Sequence, residues 1–316
     1  MKKKRQKGIV DNLIAWGNTY FREPIRKFLN GIEKSYSPNN GRVQSVLFIT
    51  DGESFDGTPK SNFLKLCGES KNYDFTVHTF LIGNDGRAQN LMEFSDYRDG
   101  SFYYINDLEK MNHYVLNIIG GLRTTSYKNF NVNITSSFPI DKFYEFEKLS
   151  NTTYKKNTKQ TLFNILQFIA GHEYTYELEL QLPENIKIED NILNITVNYT
   201  DFNGTTYKVN KTINYNYGCI KCYRKEYCRI LAVEALEKAL SQQYQRQILF
   251  DEVKAKCGDD LDKDISKAFD EIPSESGQPY IYGIISEISL KRGGINLSYS
   301  NKYQNELIDN YLGKKY

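Results

Sequence analysis

The sequence predicts an α/β fold: a parallel sheet with crossover helices, followed by an antiparallel β-sandwich and an α-helical C-terminal region. Three observations carry this. Up to about residue 126, apolar runs alternate with segments of helical spacing. From 127 to 216 the apolar period falls to two, the period of a half-buried strand. From 217 to the end the spacing is helical again. The chain therefore divides into regions 1–126, 127–216 and 217–316.

The first region opens with Phe21, Ile25, Phe28, Leu29 and Ile32 on one helical face. Pro24 belongs near the start of that helix, where its missing N–H costs nothing. Ser45–Thr50 is a continuous apolar run, the pattern of a strand with neighbours on both sides and cover above and below. A weak helix over Asn62–Cys67 ends at Gly68. The stretch "DFTVHTFLIG" is a second strand, "RAQNLMEFSDY" a helix and "GSFYYI" a third strand. Asn106, with Glu109 three residues on, reads as a capping box. The helix it starts carries Leu108, Met111, Val115, Ile118 and Leu122 on its apolar face. Strands that alternate with helices pair in parallel, because right-handed crossovers return each strand in the same direction.

In the second region, "EYTYELELQL" puts Tyr174, Tyr176, Leu178, Leu180 and Leu182 on one face. "NILNITVNYT" alternates Ile195, Val197 and Tyr199 with polar residues. Asn203-Gly204 is a hairpin turn that leads into "TTYKVNKTINYNY". The third region strings together the helix formers of "CRILAVEALEKALSQQYQRQ", then "DLDKDISKAFDEI" and "PYIYGIISEISLKRGG", and a last helix over "NKYQNELIDNYL".

Composition narrows the classes of function. The 316 residues are 40% hydrophobic and 25% charged, which suits a folded soluble protein. The net charge of +2 argues for neither nucleic acid nor a membrane surface as partner. No apolar run approaches the roughly 20 residues of a spanning helix. The start, "MKKKRQKGIVDNLIAWGN", lacks the apolar core of a signal peptide, and its basic head reads as a solvated terminus. Five cysteines, Cys67, Cys219, Cys222, Cys228 and Cys257, fit a reducing compartment, and a cytoplasmic protein is expected. Seven N-x-S/T sequons, at Asn133, Asn151, Asn194, Asn198, Asn203, Asn210 and Asn296, then read as products of an Asn-rich composition.

The residue that asks for a function is Asp51, an acid at the carboxyl tip of a buried strand. Open parallel sheets bind ligands outside those tips. A carboxylate there, followed by Gly52, can face a hard cation, and Mg²⁺ with its preference for oxygen is the natural guest. Asp-Gly is also a turn signal, so Asp51 can simply close an Asx turn.

The segments "SVLFITDGE", "VHTFLIG" and "GSFYYINDLEKM", in this order and spacing, resemble the second half of a von Willebrand factor type A domain. "WGNTYFREPIRKFLNGI" resembles that family's second metal loop and the helix after it. The resemblance covers residues from about 8 to 123. It implies a Rossmann-like parallel sheet and a metal-ion-dependent adhesion site in which three loops hold a divalent cation. On the matching positions, Thr19 stands for the loop-two threonine and Asp51 for the loop-four aspartate, while Gly17-Asn18 departs from a double glycine. The family's first loop, D-x-S-x-S, has no counterpart, nor have its first three strands. The resemblance thus implies a partial, amino-terminally truncated type A domain with a degraded site of Thr19 and Asp51 that holds Mg²⁺ weakly or not at all. It also leaves Ser45–Thr50 at an open sheet edge, where self-association is expected.

The order type A domain, β-sandwich and helical tail is similar to that of intracellular type A proteins, including those joined to a RING, U-box or Hint module. The expectation is a non-enzymatic module that binds a protein partner through an incomplete type A domain. The alternative is a fragment or subunit of a ubiquitin ligase whose catalytic module is missing from this chain. Other constellations are weaker. Cys219-x₂-Cys222-x₅-Cys228 lacks a fourth zinc ligand at suitable spacing. His78, His113 and His172 accompany no nucleophile motif. "GNDGRAQNL" lacks the Lys-Ser/Thr of a phosphate loop.

Overall fold

The computed structural model describes residues 18–35, 43–51, 54–67, 75–84, 87–144, 154–172, 174–216, 220–261, 263–273, 277–289 and 302–312. The basic head, Gly17, Gly52, Asn151, Cys219 and Asn296 lie outside them.

The apolar stripe read from the sequence forms helix α1, Arg22–Ser35, with Phe21, Ile25, Leu29 and Ile32 buried. Strands β1 (Gln44–Thr50), β2 (Phe75–Ile82) and β3 (Phe102–Ile105) form a parallel sheet in the order β1-β2-β3. Helices α2 (Pro59–Cys67) and α3 (Ala88–Tyr97) are its crossovers. Helix α4, Met111–Arg123, follows a short 3₁₀ turn. The turn is capped by Asp107, whose side chain accepts the Glu109 N–H at 2.9 Å. The expected cap, Asn106, is one residue too early; two adjacent short polar side chains can each cap, and sequence alone does not choose between them.

The two faces of this sheet bury different sets. Phe48, Phe75, Val77, Leu81, Phe102 and Tyr104 enter a core shared with α1, α2 and α3. Phe80, Tyr103 and Ile105 enter a smaller core with Tyr114 and Ile118 of α4. Leu108, assigned to the apolar face of α4, is 64% exposed, because the 3₁₀ turn carries it off the helical register. β1 also departs from expectation. Val46 and Phe48 pack inward, but Leu47 and Ile49 on the opposite face are 36% and 45% exposed. Helix α4 covers β2 and β3 and stops short of β1. A continuous apolar run looks the same in sequence whether one face or both are covered.

The C-terminal helices complete the first core. They are α5 (Ile220–Ser241), α6 (Arg246–Cys257), α7 (Lys263–Glu271) and α8 (Gly277–Ser289). Leu236, Val253, Phe269, Ile281, Ile284 and Ile285 belong to the same apolar cluster as Phe48 and Phe75. α8 lies along β3, where the Phe102 N–H donates to Ser286 Oγ at 3.1 Å. A helix thereby satisfies a backbone donor that the next strand of a larger sheet would take. The last helix, α9 (Lys302–Leu312), packs on α4. Their axes approach closely because α4 carries Gly120-Gly121 at the contact: a Cβ on Gly120 would lie 2.9 Å from the Gln304 Cα.

The period-two region forms a second, antiparallel sheet in the order β5-β4-β7-β8, with β6 also beside β4. Its strands are β4 (Thr125–Phe143), β5 (Thr158–Ile169), β6 (Leu178–Leu180), β7 (Asn191–Thr200) and β8 (Thr206–Asn214). β4 runs for 19 residues, pairs with β7 up to Ser136 and with β6 from Ile140 onward. β4 thus pairs with three strands, β5, β6 and β7, of one antiparallel sheet. Phe143 and Tyr176 from the far end pack on Phe163 from the near end, with ring centroids 5.9 and 4.8 Å away. The outer face is an Asn/Thr ladder, in which Thr196 donates to Asn210 and Thr212 to Asn194, each at 2.9 Å. The Asn-x-Thr repeats produce it directly, since residues two apart share a strand face. The Asn203-Gly204 hairpin is as expected, with Gly204 at φ +84° and the Asp201 carboxylate accepting the Asn203 and Thr205 N–H groups.

The glycines give a test of the α4–α9 contact. Gly120→Ala forces a methyl group against backbone and is expected to cost about 1–3 kcal/mol in urea unfolding. Gly31→Ala, on α1 with nothing within 4 Å of the added carbon, is expected to gain up to about 1 kcal/mol.

Candidate functional site

The carboxyl ends of the parallel strands gather the sequence-predicted residues. β1 ends at the buried Thr50, and Asp51 follows it into solvent. Thr19 is half-buried, and its carbonyl accepts the Phe55 N–H at 3.1 Å. This bond ties the segment of Thr19 to the loop after Asp51, so both residues sit at one end of the sheet.

The acid that organises this end is Asp56. One carboxylate oxygen accepts the Phe21 N–H at 2.9 Å and the Ser54 hydroxyl, and the other accepts the Arg22 N–H at 2.8 Å. Asp56 therefore caps the start of α1 from 34 residues away, where the first N–H groups have no partner within the helix. The buried Asn62 holds the loop from behind, its side-chain N–H donating to the Asp56 carbonyl at 3.1 Å. Burial pushes the Asp56 pKa up, but the hydrogen bonds from Ser54, Phe21 and Arg22 outweigh it and hold the carboxyl below its ordinary value. Sequence reasoning named neither Ser54 nor Asp56. The available signal was Asp56-Gly57, a turn dipeptide whose glycine adopts φ +103°.

Among the described residues, this end of the sheet offers a hard cation few free donors. Asp51 offers a carboxylate and Thr19 a hydroxyl, while Asp56 has most of its lone pairs committed to N–H and O–H donors. Mg²⁺ gives up its waters reluctantly and needs more oxygen than that for a tight site. Among the described residues, no three His, Cys, Asp or Glu side chains are grouped to hold a metal ion. A cavity of about 70 Å³ beside the loop, between Ser54, Thr58 and Arg87, has room for waters only.

No protein-family model matches the sequence, and no curated protein matches it. Solved structures do. A von Willebrand factor type A protein from Catenulispora acidiphila matches at a TM-score of 0.62 and 13% identity, over 90% of this chain and 73% of that one. The chain has a von Willebrand factor type A fold. A likeness over 90% of the chain runs beyond the parallel sheet of the type A fold into the antiparallel sheet and the C-terminal helices. The ArnB paralog VWA2 from Sulfolobus acidocaldarius (12% identity, 88% of this chain and 72% of that one) and the human COPII-coat protein Sec24c (11%, 86% and 43%) each match at a TM-score of 0.47, too low to add to the assignment.

The remaining candidates fall elsewhere. Cys228 and Cys257 are buried free thiols. His78 and His172, 94 residues apart in sequence, line one cavity of about 40 Å³ where the type A sheet, β5 and α9 meet. His172 Nε2 bonds Gln304 Oε1 at 2.9 Å, and Gln304 donates to the Asn117 carbonyl at the same distance. This is a polar joint between three elements.

The capping role of Asp56 predicts a pH signature. Its folded pKa lies below the unfolded value of about 3.9, so its contribution is present above that pH and is lost as pH falls through the lower folded value. Asp56→Ala is expected to cost about 0.5–2 kcal/mol near neutral pH by denaturant titration. The gap to the wild type is expected to close as the pH is taken below about 4.

Proposed function

We propose that the chain is a non-enzymatic protein-interaction module, and that the middle of β1, with Leu47 and Ile49 on its outer face, forms its docking surface. The supporting observation is the state of that strand. β1 pairs with β2 alone among the described strands, and Leu47 and Ile49 stand exposed beside the edge. Its sequence, Gln44 to Thr50, holds no charge and no proline, the usual devices that discourage pairing. Two other edges do hold such devices. β8 places Lys208 and Lys211 on its exposed edge strand, and β3 is covered by α8.

The partner this surface fits is an uncharged, apolar strand of another polypeptide, with side chains to cover Leu47 and Ile49. β1 itself answers that description, so in the isolated protein a second copy is the partner. Mg²⁺ plays at most a weak part through Thr19 and Asp51, and no step of the docking is routed through it.

Light scattering of the purified protein at micromolar concentration is expected to give a mass above that of the monomer. Leu47→Lys with Ile49→Lys is expected to restore the monomer with little change in melting temperature, because neither side chain is in the core. A wild-type protein that stays monomeric at all accessible concentrations overturns this reading. Calorimetry with magnesium chloride is expected to show no micromolar site; one that Asp51→Ala abolishes would reverse the weak-metal proposal.

A further inference from the structure

The parallel pairing of β1 with β2 decides which backbone groups of β1 point away from the sheet. The Val77 and Thr79 N–H groups donate to the Arg98 and Ser101 carbonyls, on the β3 side. Backbone groups alternate sides along a strand, so Thr76, His78 and Phe80 turn theirs toward β1. In a parallel ladder such a residue bonds the two neighbours of its register mate. The mates are Ser45, Leu47 and Ile49, so the bonds fall on Gln44, Val46, Phe48 and Thr50. The N–H and C=O groups of Ser45, Leu47 and Ile49 face outward, and no second described strand takes them. The Gln44 carbonyl also accepts from the Gln167 amide at 3.0 Å, so the contact with β5 marks where the open stretch begins.

Residues two apart share a strand face, so the three open residues also supply the outer face. Ser45 Oγ is bonded to Thr76 Oγ1 at 2.9 Å, while Leu47 and Ile49 are exposed. Between them, Val46 and Phe48 point inward. This strand is self-complementary about its centre. Laid antiparallel on a second copy with Leu47 opposite Leu47, each open residue meets another, Ser45 meeting Ile49 at both ends. Each such pair exchanges both of its N–H···O bonds. Sliding the copies by two residues leaves an open residue of the strand without a mate in the other strand. In the same register Val46 comes opposite Phe48, a β-branched side chain against an aromatic one. Antiparallel pairing about a twofold axis keeps both exposed Leu47–Ile49 patches on one face, where each covers the other. Parallel pairing about such an axis turns one sheet over and separates them.

We propose that β1 pairs antiparallel with the β1 of a second copy about a twofold axis at Leu47, joining two three-stranded sheets into one. This rests on the docking reading above and specifies its partner's direction and register. The assembly closes at two chains, because each copy uses its β1 edge and the far strand, β3, is covered by α8.

The test is disulfide trapping on the whole chain at micromolar concentration, with the joined positions read by peptide mass spectrometry. Residues of a hydrogen-bonded antiparallel pair have Cα atoms about 5.5 Å apart, within disulfide range. Leu47→Cys is expected to give chains linked at position 47. A mixture of Ser45→Cys and Ile49→Cys chains is expected to link position 45 to position 49, and Ser45→Cys alone to give no link between its two copies at position 45. Light scattering of the wild type is expected to level off at two chains. None of the three side chains is in the buried core, and a melting curve shows that each variant folds. Ser45→Lys with Ile49→Glu in one chain supplies a readout without cysteine: it places opposite charges across the twofold axis and is expected to remain a dimer. Links from 45 to 45 and from 49 to 49 show parallel strands and overturn the proposal, as does a mass that climbs past two chains. If Leu47→Lys with Ile49→Lys abolishes association but the 47-to-47 and 45-to-49 links do not form, the register falls and the docking reading stands. A wild-type protein that stays monomeric overturns both.

Discussion

A parallel sheet of three strands has two apolar faces and two open edges, and most of the molecule beyond it answers that demand. Strands of this kind are hydrophobic on both sides and fold only when covered. The crossover helices cannot cover so narrow a sheet alone. α8, nearly two hundred residues downstream of β3, brings Ile281, Ile284 and Ile285 into the core and gives the β3 edge a hydroxyl partner through Ser286. Full burial of each aliphatic side chain is worth about 1.5–3 kcal/mol. On the opposite face, α4 covers β2 and β3, and α9 backs it through the Gly120-Gly121 contact. The helical tail therefore grips the sheet from two directions, and the first and third regions share one core.

Among the described residues, the outer face of β1 at Leu47 and Ile49 is less covered, while its Gln44 carbonyl accepts from the Gln167 amide at 3.0 Å. Its Leu47 and Ile49 lie in register with His78 and Phe80 of β2, so they continue the face that α4 covers one strand further in. The antiparallel sheet also ends in an exposed strand, yet it treats the problem differently. β8 is exposed along nearly its whole length, but Lys208 and Lys211 make a second strand costly to add, since each lysine would have to shed water or find a counter-charge. β1 carries no such penalty. The difference lies in side chains rather than in backbone geometry, and it gives the docking reading its physical content.

Much of this was legible in the sequence, because periodicity reports burial. The strands at Ser45, Phe75 and Phe102, the helices around Ile25 and Ile118, the Asn203-Gly204 hairpin and the final helix all stand where the spacing placed them. What was not legible depends on partners far away in the chain. Asp56 and the helix it caps are separated by the whole of β1, and no local pattern joins them. The change of partner along β4, from β7 to β6, falls where its register with β5 also shifts, between Thr135 and Ile140, and an alternating pattern does not reveal it. The exposure of Leu47 depends on where α4 stops, and the core around Phe75 is completed only because α5 and α8 return to the sheet.

The two carboxylates at the tip of β1 show how position decides role within a few residues. Asp51 and Asp56 both precede glycine and both read as turn formers. Asp51 stays in solvent at the end of the strand, where a ligand can reach it. Asp56 turns back to the start of α1 and takes the N–H groups of Phe21 and Arg22 along with the Ser54 hydroxyl. A carboxylate with those donors gains little from a cation, because the positive end of a helix already meets its charge. Of the two acids at this end, Asp56 has its charge met by protein donors and Asp51 does not share them. On the proposed reading, what this chain offers to another molecule lies along β1 rather than at the strand tip, and backbone pairing there needs no ion.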